Sequence, residues 1–193
     1  MHEDLNGFTS WQLCRDACSL AATAHRGQFL KRTKIPYIVH CIGVASAVHV
    51  AFGCQDPEVI AAAIMHHLIE KTKVSKESIH RKFGARVALI IDVLTKPEER
   101  RASTLYWERL TASTWESRLV KMADALDHLV SPAARLVERI PTGNKALALA
   151  FSSEPVIQRA KQILSARLDY TALQVKQRHE KRAKTSKKQI GLH

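Results

Sequence analysis

The chain has 193 residues, of which 46% are hydrophobic and 25% are charged, and these ordinary globular values exclude a globally disordered protein. Its 30 lysines and arginines exceed its 18 acidic residues and give a formal net charge of +12, which favours an anionic partner such as a nucleotide, a nucleic acid or an anionic membrane. Seven glycines and six prolines are few breakers for this length, so we expect an all-α protein.

No apolar run approaches the ~18 residues that a membrane span needs. The N-terminal sequence MHEDLNGFTSW lacks the basic and apolar regions of a secretory signal. The cysteines at positions 14, 18, 41 and 54 lie among Ala, Val and Ile, which indicates buried thiols in a reducing compartment. We therefore expect a cytoplasmic protein without a membrane partner.

The first third of the chain predicts two helices joined by a loop. Thr9 or Ser10 can cap a helix that runs to about Phe29. The stretch KRTKIP is predicted to be a loop, because Pro36 has no N–H to donate inside a helix. A second helix is predicted over residues 38–52.

Capping residues mark the next helices. Asp56, with Pro57 at the first helical position, predicts a third helix that reaches Lys71. Ser75 predicts the start of a fourth helix, and Gly84 separates it from a fifth that ends before the next proline.

The second half of the chain predicts three more helices. A sixth covers about 98–110, and a seventh begins at residue 113 or 114 and ends near 130. Pro132 and the segment 141–143 (Pro-Thr-Gly) are predicted to interrupt the chain before a last helix over about 154–178.

This pattern predicts a helical domain over 8–150, a C-terminal helix over 151–178 that packs on it, and a basic tail over 179–193. Seven of the residues from 175 onward are Lys or Arg and one is Glu, so half of the net charge lies in a tenth of the chain. We expect the tail to be disordered, because it lacks apolar periodicity.

A pair of adjacent histidines lies in the apolar stretch AAAIMHHLIEK of the third helix. His66 and Glu70 are four residues apart, so a continuous helix would put them on one face, whereas His67 would point about 100° away from His66. Burying polar rings costs free energy unless they find partners, and a metal ion is one such partner.

Two further candidates lie on other predicted helices. His40 opens the second helix, and Asp124 shares a face of the seventh with His128. A metal can draw its ligands from separate helices of a bundle. The alternative for each histidine taken singly is a hydrogen-bonded core or surface residue.

Six short motifs occur in order along the chain: A-H-R-G-Q (24–28), P-Y-I-V-H (36–40), A-A-I-M-H-H-L-I-E-K-T (62–72), F-G-A-R-V (83–87), L-T-K (94–96) and V-K-M-A-D (120–124). Their order and spacing over residues 10–131 resemble the HD-superfamily hydrolase domain of RelA/SpoT enzymes and of their small stand-alone relatives, which are (p)ppGpp 3′-pyrophosphohydrolases. The resemblance implies a compact multi-helix HD-domain bundle.

The resemblance also implies site residues. In the family a divalent metal, typically Mn²⁺, is held at positions that match His40, His66, His67 and Asp124 here. The family's catalytic acidic pair matches Glu70 and Lys71. Its nucleotide-contacting positions match Lys31, Arg32, Thr33, His128 and Ser131.

Three of these positions depart from the family pattern. His67 stands where the family has Asp, Lys71 replaces the second acid, and His128 replaces an Asn. Exchanging a carboxylate for imidazole favours a softer metal such as Zn²⁺ or Fe²⁺, or weaker binding. The Lys71 ammonium would repel a nearby divalent cation, which disfavours the parent chemistry, unless the lysine instead holds a phosphate.

The sequence is therefore compatible with two alternative functions. The first is a metal-dependent nucleotide phosphohydrolase that releases pyrophosphate from (p)ppGpp. The second is a catalytically degenerate HD domain, with little or no metal, that acts as a nucleotide-binding sensor or a partner-binding scaffold. The family resemblance favours the enzyme. A nucleic-acid partner is disfavoured because the sequence holds no DNA- or RNA-binding motif, and a homo-oligomer is left open.

Overall fold

Helices make up the regular structure of the chain in a computed structural model that describes residues 2–97, 103–130 and 136–190, with side chains over 7–97, 104–130 and 136–181. The predicted all-α class is confirmed for this part of the protein. Its β-type pairing is an isolated antiparallel bridge between Phe29 and Pro36. None of the described helices is long and apolar enough to cross a membrane. Ser131 and Pro132 lie outside the described residues.

The helices are α1 (His2–Ala24), α2 (Ile38–Ser46), α3 (Pro57–Met65), α4 (Leu68–Lys71), α5 (Lys76–Leu94), α6 (Ser103–Thr111), α7 (Trp115–Val130), α8 (Leu136–Leu147) and α9 (Pro155–Ile190). A π-helical turn, Ala47–Ala51, continues α2. Helix α7 lies at the centre of the bundle, where it contacts α2, α3, α5, α6, α8 and α9. Polar residues on α7 are therefore placed in the core.

Several predicted helix boundaries are confirmed by their caps. The Asp56 carboxylate accepts the backbone N–H of Glu58 at 2.9 Å, and the Ser75 hydroxyl accepts that of Ser78 at 3.2 Å. Gly84 adopts φ 88°, a left-handed conformation that divides α5 as predicted.

Other boundaries differ from the prediction. Helix α1 begins at His2 and ends at Ala24, before a turn in which Gly27 adopts φ 77°. Helix α9 continues to Ile190, beyond the predicted end at residue 178. The division of the chain into a domain, a packed helix and a tail remains a prediction.

The predicted interruption at residues 141–143 is wrong, because Pro141 lies inside α8. Packing explains why this helix forms despite its proline. Gly143 is buried against α9, and a Cβ at this position would lie 2.6 Å from Leu168 Cδ2. Close approach of α8 to α9 therefore stabilises a segment whose local sequence disfavours helix.

The third predicted helix is also not continuous. It ends at Met65, and His67 adopts φ −108° and ψ 4° before α4 begins. The His66 ring donates a 2.7 Å hydrogen bond to the carbonyl of Ala63, the group that would accept the N–H of His67 in an unbroken helix. The continuous helix predicted through His66 and Glu70 is therefore not formed.

Candidate metal centre

Four residues from separate parts of the bundle converge in its core. His40 comes from α2, His66 and His67 from the break between α3 and α4, and Asp124 from α7. All four are at most 5% exposed, and each offers a ligand atom within 4.8 Å of the others. The two adjacent histidine rings lie at the helix break with their centroids 3.9 Å apart.

Three polar atoms at this point are buried without a hydrogen-bond partner: His40 Nε2, His66 Nε2 and Asp124 Oδ1. The aspartate oxygen lies 3.3 Å from the first nitrogen and 3.8 Å from the second. Buried polar atoms are rarely left unpaired, and here they face one another. Nitrogen and oxygen donors converging in this way fit a divalent cation.

Contacts behind the rings fix their orientation. Because the Ala63 carbonyl can only accept, His66 carries its proton on Nδ1 and keeps the lone pair of Nε2 for a ligand. The His67 Nδ1 is hydrogen-bonded to the Tyr37 hydroxyl at 2.7 Å. Such outer contacts are typical of metal-binding histidines.

Asp124 divides its two oxygens between two tasks. Its Oδ2 accepts a 2.6 Å hydrogen bond from the buried Lys121 ammonium, which leaves Oδ1 toward the histidines. Burial acts to raise the pKa of Asp124, but Lys121 and His128 lower it well below its usual value. The carboxylate is therefore ionised.

Burial keeps three of the imidazoles neutral. It lowers the pKa of His66 to about 3 and that of His128 to about 4, and it holds the pKa of His67 well below its usual value. Neutral imidazole is the form that ligates metals, so these rings are in the required protonation state near neutral pH.

His40 differs from the other three. Burial acts to lower its pKa, but the carboxylates of Asp124 and Asp127 raise the pKa to about 9. A cation at His40 Nε2 therefore competes with a proton there.

His128, expected at a nucleotide-contacting position, lies beside the centre. Its Nε2 is 3.3 Å from Asp124 Oδ1, and its ring stacks on His40 with centroids 4.7 Å apart and planes 8° apart. Its side chain is 26% exposed, so it lies between the buried cluster and solvent.

The expected catalytic pair lies on α4, the short helix that follows the two histidines. Lys71 Nζ is 3.4 Å from Glu70 Oε1, and the second oxygen of Glu70 accepts the backbone N–H of Lys96 at 3.3 Å. Lys71 Nζ also lies 5.7 Å from the centroid of the Tyr37 ring. The lysine therefore pairs with its neighbouring acid.

The remaining expected nucleotide contacts are on the loop before α2. Lys31 and Arg32 are exposed, and neither forms a described hydrogen bond or ion pair with the buried cluster. The Thr33 hydroxyl donates to the Leu30 carbonyl at 3.0 Å and accepts the N–H of Ile35 at 3.1 Å, so it stabilises the loop itself.

Three residues of the centre received no role from the sequence: Tyr37, Lys121 and Asp127. Lys121 and Asp127 each lie three residues from Asp124 on α7, so helical periodicity could have placed them on the same face as Asp124. Tyr37 is part of the P-Y-I-V-H motif but precedes the helix.

Comparisons with known proteins concern the family and the fold of the chain. The HD domain family model matches residues 17–142. The solved structure of a protein described as a metazoan orthologue of SpoT that hydrolyzes ppGpp superimposes with a TM-score of 0.67, at 24% identity, over 80% of this chain and 95% of that chain. This likeness supports the fold.

Several animal relatives are named guanosine-3′,5′-bis(diphosphate) 3′-pyrophosphohydrolase MESH1. The Xenopus tropicalis protein is 34% identical over 124 residues, which cover 61% of this chain and 68% of that protein. The Drosophila melanogaster protein is 32% identical over 113 residues, covering 56% of this chain and 63% of the relative.

A bacterial relative from Haemophilus influenzae, named guanosine-3′,5′-bis(diphosphate) 3′-pyrophosphohydrolase, is 34% identical over 114 residues. The match covers 54% of this chain and 16% of that protein. The similarity to bacterial proteins of this name thus concerns one part of a much longer chain.

Proposed function

The chain belongs to the HD domain family, and from this premise we propose that it is a metal-dependent phosphohydrolase that releases pyrophosphate from a guanosine polyphosphate. The observation that carries the proposal is the convergence of His40 Nε2, His66 Nε2 and Asp124 Oδ1, all buried and unpaired. The names of the relatives suggest the substrate class.

We propose His40, His66, His67 and Asp124 as the metal ligands. The set holds three imidazoles and one carboxylate, and imidazole-rich sites suit Zn²⁺ or Fe²⁺ better than Mn²⁺. A divalent cation bound there supplies Lewis acidity toward a phosphate oxygen and lowers the pKa of water.

The protein's own contribution to hydrolysis begins with Glu70. Its carboxylate is fixed by the backbone N–H of Lys96 and lies at the edge of the centre, where it can accept a proton from the attacking water. Lys71 and the exposed Lys31 and Arg32 supply positive charge for phosphate oxygens.

A second candidate function rests on the ion pair between Glu70 and Lys71. At 3.4 Å the ammonium competes with water for the carboxylate that would act as base. The protein would then bind the nucleotide without hydrolysing it and act as a sensor.

The free cysteines of the described chain support a reducing cytoplasm for either function.

The test begins with protein purified without chelator or nickel resin. It is incubated with ppGpp and Mn²⁺, Zn²⁺, Fe²⁺ or Co²⁺, while pyrophosphate release and nucleotide binding are measured separately. Release that His66→Ala abolishes and His80→Ala, at an exposed histidine outside the cluster, retains supports the enzyme. Binding without release with any metal supports the sensor, and neither binding nor release overturns both.

A further inference from the structure

Asp127 lies directly behind His40, on the side away from the other proposed ligands. Its Oδ2 is 2.7 Å from His40 Nδ1, which donates the hydrogen bond. The histidine side chain is 1% exposed and the aspartate side chain 16% exposed. The contact joins α2 to α7 in the core, and water has little access to compete with it.

Gly43, which lies on α2 three residues after His40, leaves space for the Asp127 carboxylate. A Cβ on Gly43 would lie 2.1 Å from Asp127 Oδ1, far inside the distance of a non-bonded contact between carbon and oxygen. Glycine inside a helix costs about 1 kcal/mol relative to alanine, so propensity does not favour it here. The space that it leaves is occupied by Asp127.

We infer that Asp127 is the positioning residue of the centre: it holds the His40 ring and keeps a proton on Nδ1, so that Nε2 faces Asp124 Oδ1. The two carboxylates thus face opposite nitrogens of one imidazole, at 2.7 Å for Asp127 and 3.3 Å for Asp124. The stacked ring of His128 restricts the same imidazole from its face. The metal part of this inference rests on the proposed function, whereas the orientation of His40 does not.

The Asp127 carboxylate also adds negative charge next to the proposed metal ligands. The Asp124 carboxylate is already paired with Lys121, so the buried ligand set has little net negative charge of its own. A second carboxylate behind His40 makes that imidazole a stronger donor, as in the carboxylate–histidine–metal arrangement. We therefore expect metal affinity to depend on a residue that does not touch the metal.

Two variants weaken the contact between Asp127 and His40 in different ways. Asp127→Asn keeps the size of the side chain but removes its charge, and Gly43→Ala displaces the carboxylate from the neighbouring helix. Asp92→Asn is the matched control, because it removes a surface carboxylate whose partner is Lys76. Circular dichroism and thermal unfolding show whether each variant is folded.

The first measurement is made on metal-free protein by NMR of the imidazole protons. The His40 Nδ1–H, assigned from its loss in His40→Gln, is expected downfield and slow to exchange in the wild type. Asp127→Asn is expected to shift it upfield, and Gly43→Ala to make it exchange rapidly. A resonance unchanged in both variants overturns the inference.

The second measurement is Zn²⁺ affinity by competition with a chromophoric chelator. We expect both variants to lose about 10–100-fold and Asp92→Asn to match the wild type. Affinities within twofold of the wild type, in a protein whose His66→Ala variant loses the metal, overturn the role of Asp127 in metal binding. Failure of the wild type to bind any metal overturns the proposed function instead, and the NMR comparison still decides the orientation of His40.

Discussion

The Nζ of Lys121 lies 2.6 Å from Oδ2 of Asp124, and both residues are at most 3% exposed. Each ion is costly to bury alone, so the pair is stabilising only while both partners are present. Lys121 also lies 5.6–5.8 Å from the ring centroids of Tyr106 and Trp107, which cover it from solvent.

Replacing Lys121 by Met is therefore expected to destabilise the fold by about 3–5 kcal/mol, because it leaves an uncompensated buried carboxylate. Urea unfolding followed by circular dichroism measures the change. Lys76→Met breaks an ion pair with Asp92 that is at least 38% exposed on both sides, and it should cost less than about 1 kcal/mol. Equal losses in the two variants would contradict the structure.

The stability of the protein should fall with acid through the ion pairs of Arg86. Its guanidinium bonds Asp56 at 2.7 Å and Glu116 at 2.9 Å. Burial acts to raise the pKa of each carboxyl, but hydrogen bonds, including those from Arg86, lower both below their usual values of 3.8 and 4.5.

A lowered pKa in the folded state means that this stabilisation is complete above the unfolded-state pKa values and is lost as the pH falls from these values through the lower folded-state ones. We expect Arg86→Met to cost about 1 kcal/mol at pH 7 and less at pH 3, since the network is partly exposed. Urea titrations at pH 7, 5, 4 and 3 measure the difference, with Arg81→Met at an exposed position as control. A difference independent of pH would count against the network.

Metal should stabilise the folded protein measurably. A ligand at 100 times its Kd adds about 2.7 kcal/mol to the free energy of unfolding, which raises Tm by several degrees. We expect Zn²⁺ to raise Tm more than Mn²⁺ does, because the proposed ligands are mostly imidazoles. Differential scanning fluorimetry tests this, and the shift should vanish in His66→Ala but persist in His80→Ala. A larger shift with Mn²⁺ would refute the softer-metal assignment.

Lys71 should contribute to nucleotide affinity if it holds a phosphate. Losing one charge-assisted hydrogen bond from a half-exposed lysine is expected to weaken ppGpp binding about tenfold. Titration calorimetry compares Lys71→Met with Lys73→Met, an exposed lysine two residues away. Identical affinities for the two variants would show that Lys71 serves only its ion pair with Glu70.

The sequence predicts helices and their ends correctly where capping residues and glycine conformation determine them. Asp56, Ser75 and Gly84 act as their side chains or backbone freedom predict. It could not indicate that Pro141 lies within a helix, because that depends on how closely Gly143 approaches α9. Tertiary packing overrides local propensity at such places.

In the candidate site, too, some features are predictable from the sequence and others depend on tertiary packing. The family resemblance implied that His40, His66, His67 and Asp124 belong together, and the structure brings their ligand atoms within 4.8 Å of one another. The continuous helix predicted through His66 and Glu70 is not formed, because it is broken at His67. The bond between His40 and Asp127 joins residues 87 positions apart, a relationship that only the crossing of two helices creates.

The close approach at Gly43 also means that positions 43 and 127 constrain each other. An aspartate at position 127 cannot occupy its present place beside a residue at position 43 that carries a Cβ. Any side chain at position 43 therefore requires the Asp127 carboxylate to move, and its hydrogen bond to His40 changes with it. A change at one of the two positions alters which residues the other can accept.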